Sequence, residues 1–127
     1  MRAMIIDDSL MLRNMVERAV RSTELPIDEF VHATNGKDAM QVLRQELRAG
    51  KKFDLIVTDT NMPAMSGLEF LEAVQMEKLC VDAQIIMITT ENSPEHLARA
   101  KAAGSKGNIN KPFTHDQVKS VLEPLFS

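Results

Sequence analysis

Apolar and polar positions follow two rhythms along this chain. Met4, Ile5 and Ile6 form a short unbroken apolar run that ends at Asp7 and Asp8. Leu55, Ile56 and Val57 lead likewise to Asp59, and Ile85, Ile86, Met87 and Ile88 to Thr89 and Thr90. Unbroken runs of this length suit strands covered on both faces, as in a parallel sheet. Ile27 to Ala33 mixes polar and apolar residues, and Ser105 to Asn110 has Ile109 as its one large apolar side chain. Both of these segments are expected at sheet edges.

Between the runs lie helix patterns with readable starts. Leu10, Leu12, Met15, Val16 and Ala19 make an apolar stripe behind Asp8 and Ser9, and Ala39, Val42, Leu43 and Leu47 repeat it behind Asn35 and Gly36. Ser66 and Glu69 have capping-box spacing and place Leu68, Phe70, Leu71 and Val74 on a third helix. Ser93 before Pro94 predicts a cap followed by a first-turn proline, with Gly104 as the stop. Thr114 and Gln117 open a last helix carrying Val118, Val121, Leu122 and Leu125. Strand then helix, five times, predicts an α/β fold with parallel strands and right-handed crossovers.

Composition narrows the classes. The 127 residues are expected to form a single domain, and the 44% that are hydrophobic are enough for one core. No apolar run nears the roughly 18 residues of a membrane span, and Met1 leads straight into strand-like sequence, so neither a membrane partner nor a targeting segment is expected. Eighteen acidic against fifteen basic residues leave a net charge of −3, which gives no general reason to bind nucleic acid. The pair Lys51 and Lys52 is too small a patch to change that. One cysteine, Cys80, makes neither an internal disulfide nor a cysteine zinc site, which suits a cytoplasmic location. It is expected as a small apolar residue near the end of the third helix. Nine methionines and five phenylalanines, with no Tyr or Trp, imply an adaptable core without a ring pair to stack a flavin. His32, His96 and His115 fall on different elements, which argues against a shared metal.

The candidate chemistry lies at the strand ends. In an open parallel α/β sheet, ligands bind beyond the carboxyl ends of the strands. There the first strand delivers Asp7 and Asp8, the third Asp59, the fourth Thr89 and the fifth Lys111. Singly, Asp8 suits a helix cap, Thr89 a strand end and Lys111 a solvated surface. Their joint occurrence at one sheet edge is what those ordinary roles do not explain. Three converging carboxylates repel unless protonated or neutralised, and an oxygen-only set suits Mg²⁺, with Mn²⁺ as an alternative. A lysine and a threonine hydroxyl beside them fit a phosphoryl group.

These residues sit in motifs that resemble the receiver domains of two-component signalling, the CheY-like single-domain response regulators. The motifs are Ile-Ile-Asp-Asp-Ser at 5 to 9, Asp-Thr-Asn-Met-Pro at 59 to 63, Met-Ser-Gly-Leu-Glu at 65 to 69, Ile-Thr-Thr at 88 to 90 and Asn-Lys-Pro-Phe at 110 to 113. The resemblance spans essentially the whole chain. It implies a doubly wound, flavodoxin-like sheet of order 2-1-3-4-5 with helices on both faces. It makes Asp59 the acceptor of a phosphoryl group from a histidine kinase or phosphotransfer domain. Asp7, Asp8 and Asp59 become the metal carboxylates, Asp8 the foremost direct ligand of the first pair, Asn61 adds its backbone carbonyl, Lys111 pairs with the phosphoryl group and Thr89 swings toward it. Pro112 is implied to follow a cis peptide bond.

The resemblance further implies that a separate effector, such as a motor switch or signalling enzyme, reads the face of the fourth helix, fifth strand and fifth helix. A monomer is expected, and the only reaction catalysed is the protein's own phosphorylation and dephosphorylation. Two positions depart from the family pattern. Asn108 stands where many members carry a switching aromatic, and Thr90 where Ala or Gly is favoured beside the acceptor. Two alternatives share the fold: an interaction module independent of phosphorylation, and a phosphate sink or shuttle in a relay. A haloacid dehalogenase-type phosphatase would need a general acid two positions beyond the nucleophile, where this chain has Asn61.

Overall fold

The computed structural model of the chain describes residues 1–62, 64–79, 82–90 and 93–126. Five strands and five helices alternate: β1 (Arg2–Ile6), α1 (Leu10–Arg21), β2 (Glu29–Ala33), α2 (Gly36–Arg48), β3 (Leu55–Asp59), α3 (Gly67–Glu77), β4 (Gln84–Thr89), α4 (Pro94–Ala102), β5 (Gly107–Asn110) and α5 (His115–Leu125). All strand pairs are parallel, in the order β2-β1-β3-β4-β5. The two mixed segments are indeed the edges. They begin later than the sequence predicts, at Glu29 and Gly107, because an edge strand is held by one neighbour only.

Alternate residues of each strand enter opposite layers, as the two-residue period of a strand requires. Met4, Ile6, Ile56 and Met87 join Leu43, Phe70 and Ala100 under α2, α3 and α4. Ala3, Ile5, Val57 and Ile88 join Val16, Val20, Val118 and Leu122 under α1 and α5. With both faces covered, β3 is buried along its whole length, Asp59 included. Among the described residues no helix is long and apolar enough to cross a membrane.

The expected caps are all present. Ser9, Asn35, Ser66, Ser93 and Thr114 each accept the backbone N–H of the third residue of the following helix, and the boxes Ser66/Glu69 and Thr114/Gln117 are reciprocal. The apolar stripe of α1 is corrected. Leu10 and Met15 of that stripe are exposed at 61% and 41%, while Arg13, outside it, is buried beside Val16, Ala19 and Val20. The expected stripe mixed two helix faces, and the face toward the sheet runs through residues 13, 16 and 20. Cys80 lies outside the described residues.

Candidate functional site

The carboxyl edge of the sheet gathers its acids as expected. Asp7, directly after β1, Asp8 in the following turn and Asp59 at the end of β3 offer carboxylate oxygens that lie within 4.8 Å of one another. Asp7 and Asp59 are buried, whereas Asp8 is exposed. Lys111, one residue beyond β5, reaches in from the far side. Its Nζ is 2.9 Å from Asp59 Oδ1 and 3.5 Å from Asp7 Oδ2. The Lys111–Pro112 peptide bond is cis, and the Lys111 amide donates to the Thr89 carbonyl at 2.9 Å.

Local hydrogen bonds aim the two buried acids. The Ser9 amide donates to Asp7 Oδ1 and the Thr60 amide to Asp59 Oδ1, both at 2.9 Å. Lys111 also takes Asp59 Oδ1, so Oδ2 of that carboxylate has no donor among the described residues. Burial pushes the Asp7 carboxyl above its usual range, and the nearby Asp59 charge adds to this. The Ser9 amide and Lys111 pull the other way. Three acids with a single lysine among them leave negative charge in a poorly hydrated place, which a hard cation would relieve. Oxygen donors of this kind match Mg²⁺, so the residues fit that ion.

Thr89 is fully buried, and its hydroxyl accepts from the Thr60 hydroxyl at 3.1 Å. Thr90 and Asn61 are exposed at the rim. Asn108 lies apart from the acids, paired in register with Met87 in the middle of the β4–β5 ladder. Its Oδ1 is buried with no hydrogen-bond partner among the described residues, as is Nε2 of His96 on α4. The three histidines do not gather with the acids, since Asp7, Asp8 and Asp59 form the one such cluster among the described residues.

Two contributors are not evident in the sequence. Thr60 bridges Asp59 and Thr89 from the loop between them. Gly67 opens α3 directly against the end of β3: a Cβ there would overlap the Asp59 carbonyl oxygen, and the Gly67 amide donates to Thr60 O at 3.0 Å. The glycine lies within a recognised motif, but only the close approach explains it.

A parallel sheet of this order, with acids from β1 and β3 facing a lysine from beyond β5, is the architecture of a receiver domain. The family model described as "Response regulator receiver domain" matches residues 3–123, and the chain belongs to that family of two-component signalling proteins. It is 34% identical over 98% of its length to a chemotaxis protein CheY homolog of Campylobacter jejuni, covering 92% of that protein. It is 30% identical to the chemotaxis protein CheY of Pseudomonas aeruginosa, over 99% of this chain and 96% of that one. A solved structure of chemotaxis response regulator CheY4 of Vibrio cholerae superposes with a TM-score of 0.82 at 32% identity, over 98% of both chains.

Proposed function

We propose that this receiver takes a phosphoryl group onto Asp59 from the phosphohistidine of a histidine kinase or phosphotransfer domain. A carboxylate oxygen of Asp59 attacks phosphorus in line as the P–N bond breaks, and the departing imidazole takes up a proton. Phosphoryl transfer has a loose transition state and depends chiefly on alignment and charge stabilisation. Asp59 is aligned by its burial and by the Thr60 amide. Lys111, already 2.9 Å from the carboxylate, pairs with the phosphoryl oxygens as they arrive. Asp7, Asp8, Asp59 and the Asn61 carbonyl would hold Mg²⁺, which would supply positive charge to offset that of the arriving phosphoryl group.

The product carries about two negative charges beside the Thr89 hydroxyl. Thr89 turns toward it, and the packing of α4 and β5 shifts between two populations. An effector then reads the α4–β5–α5 face, and attack by water on the acyl phosphate returns the resting state. Relatives called chemotaxis proteins make a chemotaxis partner the first effector to try. The chain turns over no separate substrate, because Asn61 cannot act as a general acid.

The observation that carries this reading is the buried Asp59 carboxylate flanked by two further acids and bonded to Lys111. Acetyl phosphate with Mg²⁺ is expected to add one phosphoryl group by intact-mass measurement, and Asp59→Asn to add none. A wild-type protein that stays unmodified, yet binds its effector, would instead support the phosphorylation-independent module. Passage of the label to a second phosphotransfer domain would support the shuttle.

A further inference from the structure

Arg13 is a charged residue on the face of α1 that packs against the sheet, only 9% exposed. Among the described residues no carboxylate pairs directly with its guanidinium. Burying a cation without a direct counter-ion is costly, and an apolar side chain would serve packing better. The two bonds it makes show what it does instead. Nη1 donates to the Asp7 carbonyl oxygen at 2.6 Å, and Nε donates to His32 Nδ1 at 3.3 Å.

Because His32 Nδ1 accepts, the ring carries its proton on Nε2, which donates to Glu17 Oε1 at 2.8 Å. The other Glu17 oxygen accepts from Arg21 Nε at 3.1 Å, and the Arg21 guanidinium lies 4.5 Å from the centre of the Phe30 ring on β2. A continuous line of contacts thus runs from the outer flank of α1 and β2 to the peptide that joins Asp7 to Asp8.

We infer that Arg13 is a positioning residue for the acidic loop, and that His32 and Glu17 hold it in place. This rests on the reading of Asp7 and Asp8 as metal carboxylates. The Asp7 amide is fixed by Ala33 O at 3.1 Å and the Asp7 carboxylate by the Ser9 amide. The Arg13 bond fixes the remaining polar group, the carbonyl, and so sets the plane of the Asp7–Asp8 peptide. That plane determines how both carboxylates face the ion. Outer groups that orient metal ligands in this way typically change affinity by about 10- to 100-fold when removed.

The test compares wild type with Arg13→Met, Arg13→Lys and His32→Leu, measuring Mg²⁺ affinity by calorimetry and amide shifts of the metal-free protein. Arg13→Met is expected to weaken Mg²⁺ binding about tenfold or more. Arg13→Lys restores part of it, because an ammonium reaches the carbonyl without the link to His32. His32→Leu gives a smaller loss, with Asp8 and Ser9 amide shifts moving in the same direction. At saturating Mg²⁺, phosphorylation by acetyl phosphate recovers most of its rate, since Arg13 touches neither donor nor acceptor.

A purely packing role would lower thermal stability and leave the affinity alone. If Arg13→Met does not fold, the other two variants decide. Folded Arg13→Lys and His32→Leu proteins with wild-type Mg²⁺ affinity and unmoved Asp8 and Ser9 amides would overturn the inference while leaving the phosphoacceptor reading intact. A wild type that binds no Mg²⁺ would remove both.

Discussion

On its β1–β3 side most polar groups of the acidic site are hydrogen-bonded, Asp59 Oδ2 excepted among the described residues. Asp7 is held at its amide, carbonyl and carboxylate by Ala33, Arg13 and Ser9, and Asp59 by Thr60 and Lys111. On the β4–β5 side the polar groups are less completely matched. Among the described residues Asn108 Oδ1 and His96 Nε2 are buried without partners, although most buried polar atoms in proteins find one. The contrast separates two tasks. The groups proposed to align a phosphoryl transfer are fixed in advance, whereas the strand and helix proposed to repack keep unsatisfied atoms among the described residues.

That contrast can be broken from its tight side first. Lys111→Met removes the cation that, among the described residues, bonds Asp59, and is expected to slow phosphorylation by acetyl phosphate by about 100-fold or more, the usual cost of a lost charge-stabilising donor. A loss under about threefold would mean that Asp59 does not depend on it. Gly67→Ala forces α3 away from the Asp59 carbonyl and should destabilise the fold by roughly 1–3 kcal/mol in thermal or urea denaturation.

Asp7→Asn acts in the opposite direction. It relieves a like charge in a buried place and should stabilise the metal-free protein at pH 7 by about 1 kcal/mol. Because the folded-state pKa of Asp7 is raised above its ordinary 3.8, the wild type is free of this penalty below that value and acquires it as pH rises through the raised value. The advantage of Asp7→Asn should therefore shrink as pH falls toward 3.8. Saturating Mg²⁺ should erase or reverse it.

The smallest effect is expected on the loose side. Asn108→Ala deletes a buried unpaired carbonyl, so stability should change by less than about 1 kcal/mol. The amide shifts that a beryllofluoride mimic induces along β5 and α4 should nonetheless diminish. An undiminished response would take Asn108 out of the signal path and leave the backbone to carry it.

The strand ends and caps are legible in the sequence because each depends on neighbours in the chain. An apolar run that stops at a carboxylate, or Ser66 three residues before Glu69, needs no tertiary knowledge. Arg13, Thr60 and Gly67 are harder to read because their roles arise between elements. Arg13 could be suspected from a charge three residues before Val16 and seven before Val20, on one helix face. Nothing local distinguishes Gly67 from a residue chosen simply to begin a helix. The starts of β2 and β5 are blurred for a related reason: a strand with a single neighbour has a weaker apolar pattern to mark it.

The Thr60–Thr89 hydroxyl bridge has a consequence for how little force the molecule needs to change state. In the switch proposed above, Thr89 exchanges its hydroxyl contact with Thr60 for one with the modified Asp59, so that bond is traded for another of similar strength. Two arrangements so nearly level can be tipped by a docking protein that prefers one of them only slightly.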